Sequence, residues 1–398
     1  MLNIDEAKST QKIALLNSGF RVFFLAAGVF SVVSMLIWML IYSLSSGPVI
    51  YQLTSLGWHA HEMIYGYGLA VISGFLLTAT TNWTNRKTLT GMMLGVASLF
   101  WLMARISPFI NSDYNIEIMF ISEAMFFLLL ITGIAKPVIQ SRQWQQLPVL
   151  LPVVLLFLSD MLFYAGQTQL LDNGVHIGLY AGFYLILILV FVMGRRVIPF
   201  FIEKGVDENF TAKNYLWLDK IMIPLFFTYA VFEIFKFNSL ILTVLALALF
   251  VLNAFRLAGW YTPGIWKKSL LWVLLLAYSF ITLGFFLRFV SYFISISDFI
   301  VMHSYAVGGI GMITIGMMSR VALGHTGRNV FEPPAILGWI FSLLLVSFIF
   351  RVILPLLFVS NSPDWVLWSQ IFWISAFSLF VIKYAFMFIK PRIDGRPG

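Results

Sequence analysis

The chain has 398 residues, 60% of them hydrophobic and 11% charged, with a mean hydropathy of +0.92 and a formal charge of +8. A soluble domain carries roughly 25% charged residues, so a soluble enzyme or soluble binding module is excluded. The absence of cysteine removes disulfides, thiolate metal ligands and thioether-attached haem together. Any metal site must draw on His, Met, carboxylate or backbone.

Residues 3–20 read NIDEAKSTQKIALLNSGF, and residues 1–19 are predicted to form an amphipathic segment lying on the membrane surface. Asp5, Glu6, Lys8 and Lys12, with the long apolar run that follows, argue against a removable signal. Apolar runs of spanning length then recur, predicting helices over 20–44, 57–80, 88–109, 114–138, 146–166, 174–201, 215–235, 238–260, 269–291, 296–324, 333–358 and 363–390. The breaks carry turn chemistry: SSGP at 45–48, ISPFINSD at 106–113, DNG at 172–174 and NSPD at 361–364. No break has room for a soluble domain. The expected fold is all-α: one polytopic transmembrane domain over 1–398, with about twelve helices bundled over 20–390 and a tail over 391–398.

A basic chain raises the question of nucleic acid, but the charges form no patch. Lys8, Lys12 and Arg21 precede or open the first helix. Arg86, Lys87, Lys136, Arg142, Arg195, Arg196, Lys204, Lys213, Arg256, Lys267, Lys268, Arg320 and Arg328 then fall in alternate connections. Lys383, Lys390, Arg392 and Arg396 close the chain, whereas the opposite helix ends hold Arg105, Lys236, Arg288 and Arg351. This is a positive-inside pattern, and it predicts that both termini are cytoplasmic.

That orientation organises the histidines. His59 and His61 sit at the outer end of the second helix, and His176 opens the sixth from the same side. His303 lies about 10 Å down the tenth helix at 1.5 Å rise per residue. Only His325 is on the cytoplasmic side. Polar groups in lipid are costly unless binding offsets them, so four histidines at one depth predict a metal or haem site in the outer leaflet. Positions i and i+2 of a helix point about 200° apart. His59 and His61 therefore serve two sites, or share one with His59 in a non-helical entry. The stretch HEMIY is not HExxH, because Tyr65 stands where a second zinc ligand would be. Met63 and Met302 place thioethers near the histidines, which suits copper(I) better than zinc.

The same three helices are glycine-rich: Gly66, Gly68 and Gly74; Gly174, Gly178 and Gly182; Gly308, Gly309 and Gly311. Such rows let helices approach closely or leave room for a flat macrocycle. Glu62, Glu117, Glu123, Asp160, Arg105, Arg288 and Arg351 all map to the outer third of the bilayer. They are expected either to pair across helices or to orient ligating imidazoles and neutralise propionates. On the cytoplasmic side, MGRRVIPFF and GMMSRVALGHTGR group Arg195, Arg196, Arg320, His325 and Arg328. That motif either fixes loops or takes a phosphate or lipid headgroup.

The stretches HAHEMIYGY, GFLLTATTNWT, GRRVIPFF and SRVALGHTGR resemble the conserved blocks of the NnrS family, in order and over most of the chain. The resemblance implies a multi-pass protein of the bacterial cytoplasmic (inner) membrane that contains haem and copper and is associated with denitrification and the response to nitric oxide. A weaker, architectural likeness joins the chain to the catalytic subunits of haem–copper oxidases and nitric-oxide reductases, which also ligate haem from the second and tenth helices. This sequence has no histidine over 215–235 and no second histidine in the outer part of the tenth helix, too few for a binuclear centre.

With these resemblances, the expected arrangement is a b-type haem between the second and tenth helices. His303 is one axial ligand and His59 or His61 the other; the remaining histidine of that pair binds copper with His176, helped by Met63 and Met302. Nitric oxide or another small molecule is the expected partner, in a lipid bilayer and without nucleic acid. Electrons would come from quinol or another protein. The alternative expectation is a twelve-helix transporter of a small solute or metal ion that uses the outward histidines as its pathway.

Overall fold

Each predicted apolar run is a helix, and turn-forming residues end them where expected. Thr54 caps the second helix by accepting from the Gly57 amide at 3.1 Å. Asn85 ends it in the left-handed region at φ +52°, and Asn173 stands before the sixth helix at φ +58°. The structure, a computed structural model, describes residues 13–206 and 210–396. The helices are α1 (Gly19–Tyr42), α2 (Ser55–Thr84), α3 (Gly91–Ile106), α4 (Asn115–Gln140), α5 (Leu147–Gln167) and α6 (Gly174–Gly205). They continue as α7 (Leu216–Ile234), α8 (Ser239–Trp260), α9 (Ser269–Val290), α10 (Asp298–His325), α11 (Ile336–Leu357) and α12 (Ser362–Ile389). There is no strand among the described residues.

Eleven of these helices are long and apolar enough to cross a membrane. The exception is α7, which carries Asp219, Lys220 and Glu233. The protein is thus an all-α polytopic membrane protein. The expected surface-lying segment over 1–19 falls outside the described residues for 1–12. Of the remainder, Ala14 is buried and its amide donates to the Ile389 carbonyl at 2.8 Å, so this stretch docks against the end of α12.

Two features of the bundle position the polar residues. The first is the close crossing of α5 and α6. A Cβ added at Gly178 would lie 2.5 Å from the Phe163 amide nitrogen and 2.6 Å from the Ser159 carbonyl. Gly174 and Gly178 are therefore spent on backbone approach and Gly182 on seating the Tyr65 ring, which leaves no space there for a macrocycle. Tyr65 of α2 locks this crossing, donating to the Gly178 carbonyl at 2.7 Å and sharing a 2.9 Å hydrogen bond with Ser159.

The second feature is a set of π-helical turns inside three helices: Glu62–Gly68 in α2, Ser304–Gly311 in α10 and Ile349–Ile353 in α11. Such turns concentrate at functional sites. In α11 the cause is local. Pro355 has no N–H, and its ring would collide with the Arg351 carbonyl of a regular helix, so the backbone there takes the wider turn.

Candidate metal centres

His59 and His61 lie within one continuous helix, so their side chains diverge, and they belong to two different places. The His59 ring stacks on Trp38 of α1, with centroids 4.3 Å apart and planes 5° from parallel. It lines a cavity of about 30 Å³ together with Trp38, His303, Arg351, Gln370 and Trp373. The tautomer of His303 is fixed by its neighbours. Nδ1 donates to the Phe299 carbonyl one turn back at 2.6 Å, and Nε2 accepts from Arg351 Nη2 at 3.2 Å. Nε2 therefore carries a lone pair. Two buried nitrogens on this cavity wall, His59 Nδ1 and Gln370 Nε2, have no hydrogen-bond partner.

His61 points the other way, into a cluster closed from solvent. Nδ1 lies 3.2 Å from Glu62 Oε1. Nε2 lies 3.1 Å from Asp160 Oδ1 of α5 and 3.3 Å from Glu123 Oε2 of α4. Arg105 of α3 reaches Glu62 Oε2 at 2.6 Å and also pairs with Glu123. The Tyr164 hydroxyl donates to Glu123 Oε2 at 2.7 Å. One donor atom each from His61, Glu123 and Asp160 lies within 4.8 Å of the others, close enough that the three could converge on one ion.

Other residues singled out in the sequence have separate partners. His176 Nε2 donates to the Ile234 carbonyl at 3.0 Å, and its ring lies against Tyr180. The Met63 sulfur accepts from Ser34 at 3.9 Å and the Met302 sulfur from Tyr184 at 3.8 Å. His176, Met63 and Met302 are thus not gathered around His61. Glu117 is exposed in the first turn of α4, where the helix N-terminus favours a carboxylate.

Arg288 is tied to Glu233 and to Asp298, the latter at 2.7 Å. Around it lies a network that the sequence did not disclose: Tyr229 donates to Glu233 at 2.8 Å and shares a 3.1 Å hydrogen bond with Tyr305. The available signal was Glu233 itself, an acidic residue inside an apolar helix and one turn after Tyr229.

At the opposite end of the bundle, the arginine motif fastens helices. Arg195 and Arg256 both bind Asp219, at 2.6 and 2.7 Å, and Arg196 donates to Gln146 at 3.4 Å. Arg320 lies over the Phe201 ring at 3.7 Å, and Arg328 donates to the Thr326 carbonyl at 3.4 Å. The His325 ring lies 5.5 Å from Phe20, and its carbonyl accepts from Arg392 at 3.0 Å. Beyond the membrane, the Arg392 hydrogen bonds hold the Asp394 carboxyl down at about 2.

These features define a class: a multi-pass helical membrane protein with two histidine-bearing centres buried near one end of the bundle. Within that class the chain belongs to the NnrS family, whose model, described as NnrS protein, matches residues 14–392. No curated protein matches it.

Proposed function

We propose that this protein is a haem- and metal-dependent component of the nitric-oxide response in the bacterial inner membrane, oriented with both termini in the cytoplasm. The single observation that carries the reading is the pairing of His59 and His303 on one cavity between α1, α2, α10, α11 and α12. His303 has the tautomer expected of a metal-ligating imidazole, with Nδ1–H anchored on a backbone carbonyl and the Nε2 lone pair, now held by Arg351, facing the cavity. His59 supplies a second, half-buried imidazole whose buried Nδ1 is unpartnered.

The donor chemistry, though not the present cavity volume, fits a haem. His59 and His303 would be the ligands and Arg351 the partner of a negatively charged substituent. In the present conformation the cavity, about 30 Å³, has room for a diatomic gas or one to two waters. A bound haem would supply one-electron chemistry and, in exchange for one of the two imidazoles, affinity for nitric oxide. Around it, the protein's own groups orient and exclude: Phe299 fixes the His303 tautomer, Trp38 clamps the His59 ring, and Arg351 places positive charge beside both. The copper set expected from the sequence fits less well, because His176, Met63 and Met302 lie with other partners; no step is assigned to it.

The test is the optical spectrum of the detergent-purified protein, oxidised, reduced, and reduced with nitric oxide. A reduced b-type spectrum that shifts with nitric oxide and is abolished in His303→Ala supports the reading. A haem-free protein from haem-replete cells overturns it and leaves the transporter reading, which the buried ionisable cluster at His61 favours. Consumption of nitric oxide with an electron donor separates turnover from binding.

A further inference from the structure

The His61 cluster lies outside the proposed haem cavity, and its charges do not close. Glu62, Glu123 and Asp160 are three carboxylates, all fully or almost fully buried, and among the described residues Arg105 is the one guanidinium paired with them. A neutral His61 leaves two negative charges in the protein interior, and an imidazolium leaves one. Buried charge without compensation is expensive. The deficit is focused on Asp160. Its Oδ1 faces His61 Nε2, which also faces Glu123, so one N–H would have to serve two carboxylates. Its Oδ2 is buried without any partner, on a residue with 0% exposure.

The spacing of the donors gives the missing group a size. Ligand atoms sharing a first-row ion at bonds of roughly 2.0–2.2 Å lie about 2.8–3.6 Å from one another in an octahedral or tetrahedral shell. The Nε2–Asp160 and Nε2–Glu123 distances, 3.1 and 3.3 Å, are edges of such a shell. A divalent ion with neutral His61 brings the net charge of the cluster to zero. We propose that His61 Nε2, Asp160 and Glu123 form a binding site for a divalent cation of the manganese, iron(II) or zinc class, distinct from the His59–His303 cavity.

One imidazole with two carboxylates and no sulfur suits these ions rather than copper(I). Glu62 and Arg105 support the site from outside. Glu62 accepts from His61 Nδ1–H at 3.2 Å, which leaves Nε2 as the ligand nitrogen, and Arg105 holds both Glu62 and Glu123 in place. Tyr164 orients the Glu123 oxygen that faces the ion. The inference does not depend on whether the other cavity takes haem.

The experiment uses the full chain purified in detergent, exposed separately to manganese(II) and zinc(II) chloride, desalted, and assayed for metal content. One equivalent per chain is expected for the wild type. Asp160→Asn keeps the shape of the side chain and should weaken uptake at least tenfold, whereas Glu117→Gln, at an exposed carboxylate of the same helix as Glu123, should leave it unchanged. Absence of uptake by the wild type overturns the proposal, as does uptake that survives Asp160→Asn or is lost in Glu117→Gln. Should Asp160→Asn fail to fold, pulsed EPR of manganese in the wild type decides. Coupling to a single imidazole nitrogen supports the site, and coupling to none or to two overturns it.

Discussion

The two faces of α2 at one depth make opposite use of the same residue type. His59 borders a small void with unpartnered nitrogens on its wall and one guanidinium in reach, but no carboxylate paired to it. Two residues later, His61 is packed among three carboxylates and an arginine. The first has donors waiting for something to enter, whereas the second is nearly filled by its own charges and lacks only a compact cation. A membrane interior enforces this separation, because a neutral imidazole beside a cavity tolerates low dielectric and an unbalanced carboxylate cluster does not.

The largest expected effect that sharpens the comparison is His303→Ala, which should remove the haem Soret band while the protein stays folded; an unchanged spectrum takes His303 out of the ligand set. The next is Arg105→Leu. Removing one partner of a buried pair typically costs about 3–5 kcal/mol, so a large fall in thermal stability in detergent is expected. The corresponding Arg351→Leu, whose partner is a neutral imidazole, should cost far less. Equal losses would break the contrast between a charge-filled centre and a cavity.

Gly178→Ala tests the scaffold beneath the His61 centre. Its Cβ would meet α5 backbone at 2.5 and 2.6 Å, and overpacking of this kind costs about 1–3 kcal/mol. The melting temperature should fall and divalent uptake should weaken, with the His303 spectrum retained. The smallest effect is expected from Thr54→Ala, which removes the cap ahead of His59 and should cost about 1 kcal/mol. It is read as a modest shift in melting temperature with both centres intact.

Much of this was legible in the sequence because hydropathy in lipid is nearly a one-dimensional signal. All twelve helices follow from it, including α7, which carries Asp219, Lys220 and Glu233. The divergence of His59 and His61 follows from helical pitch alone. The partners of His61 do not: Glu123 and Asp160 are 62 and 99 residues away, and depth says nothing about which way a helix is rotated. Glu117 shows the cost of that gap, since it maps to the same outer third as Glu123 but is exposed in the first turn of α4. His176 shares the level of the other outward histidines, yet its ring is spent on the Ile234 carbonyl. Glu233 was missed although it stood in plain view within an apolar helix. Its role depends on Arg288 and Tyr229, whose convergence is a matter of packing order.

The π-helical turns have a consequence for how this architecture can change. Each such turn holds one residue more than the regular helix would, so the chain beyond it is rotated by about 100° relative to an uninterrupted screw. In α10 the turn at Ser304–Gly311 separates His303, which faces Arg351, from Thr314, which meets Tyr67 at 2.5 Å. Deleting a single residue inside it would straighten the helix and swing one half out of phase with its neighbours. A one-residue deletion there is therefore a larger change than many multiple substitutions, and length within these segments is under tighter constraint than composition.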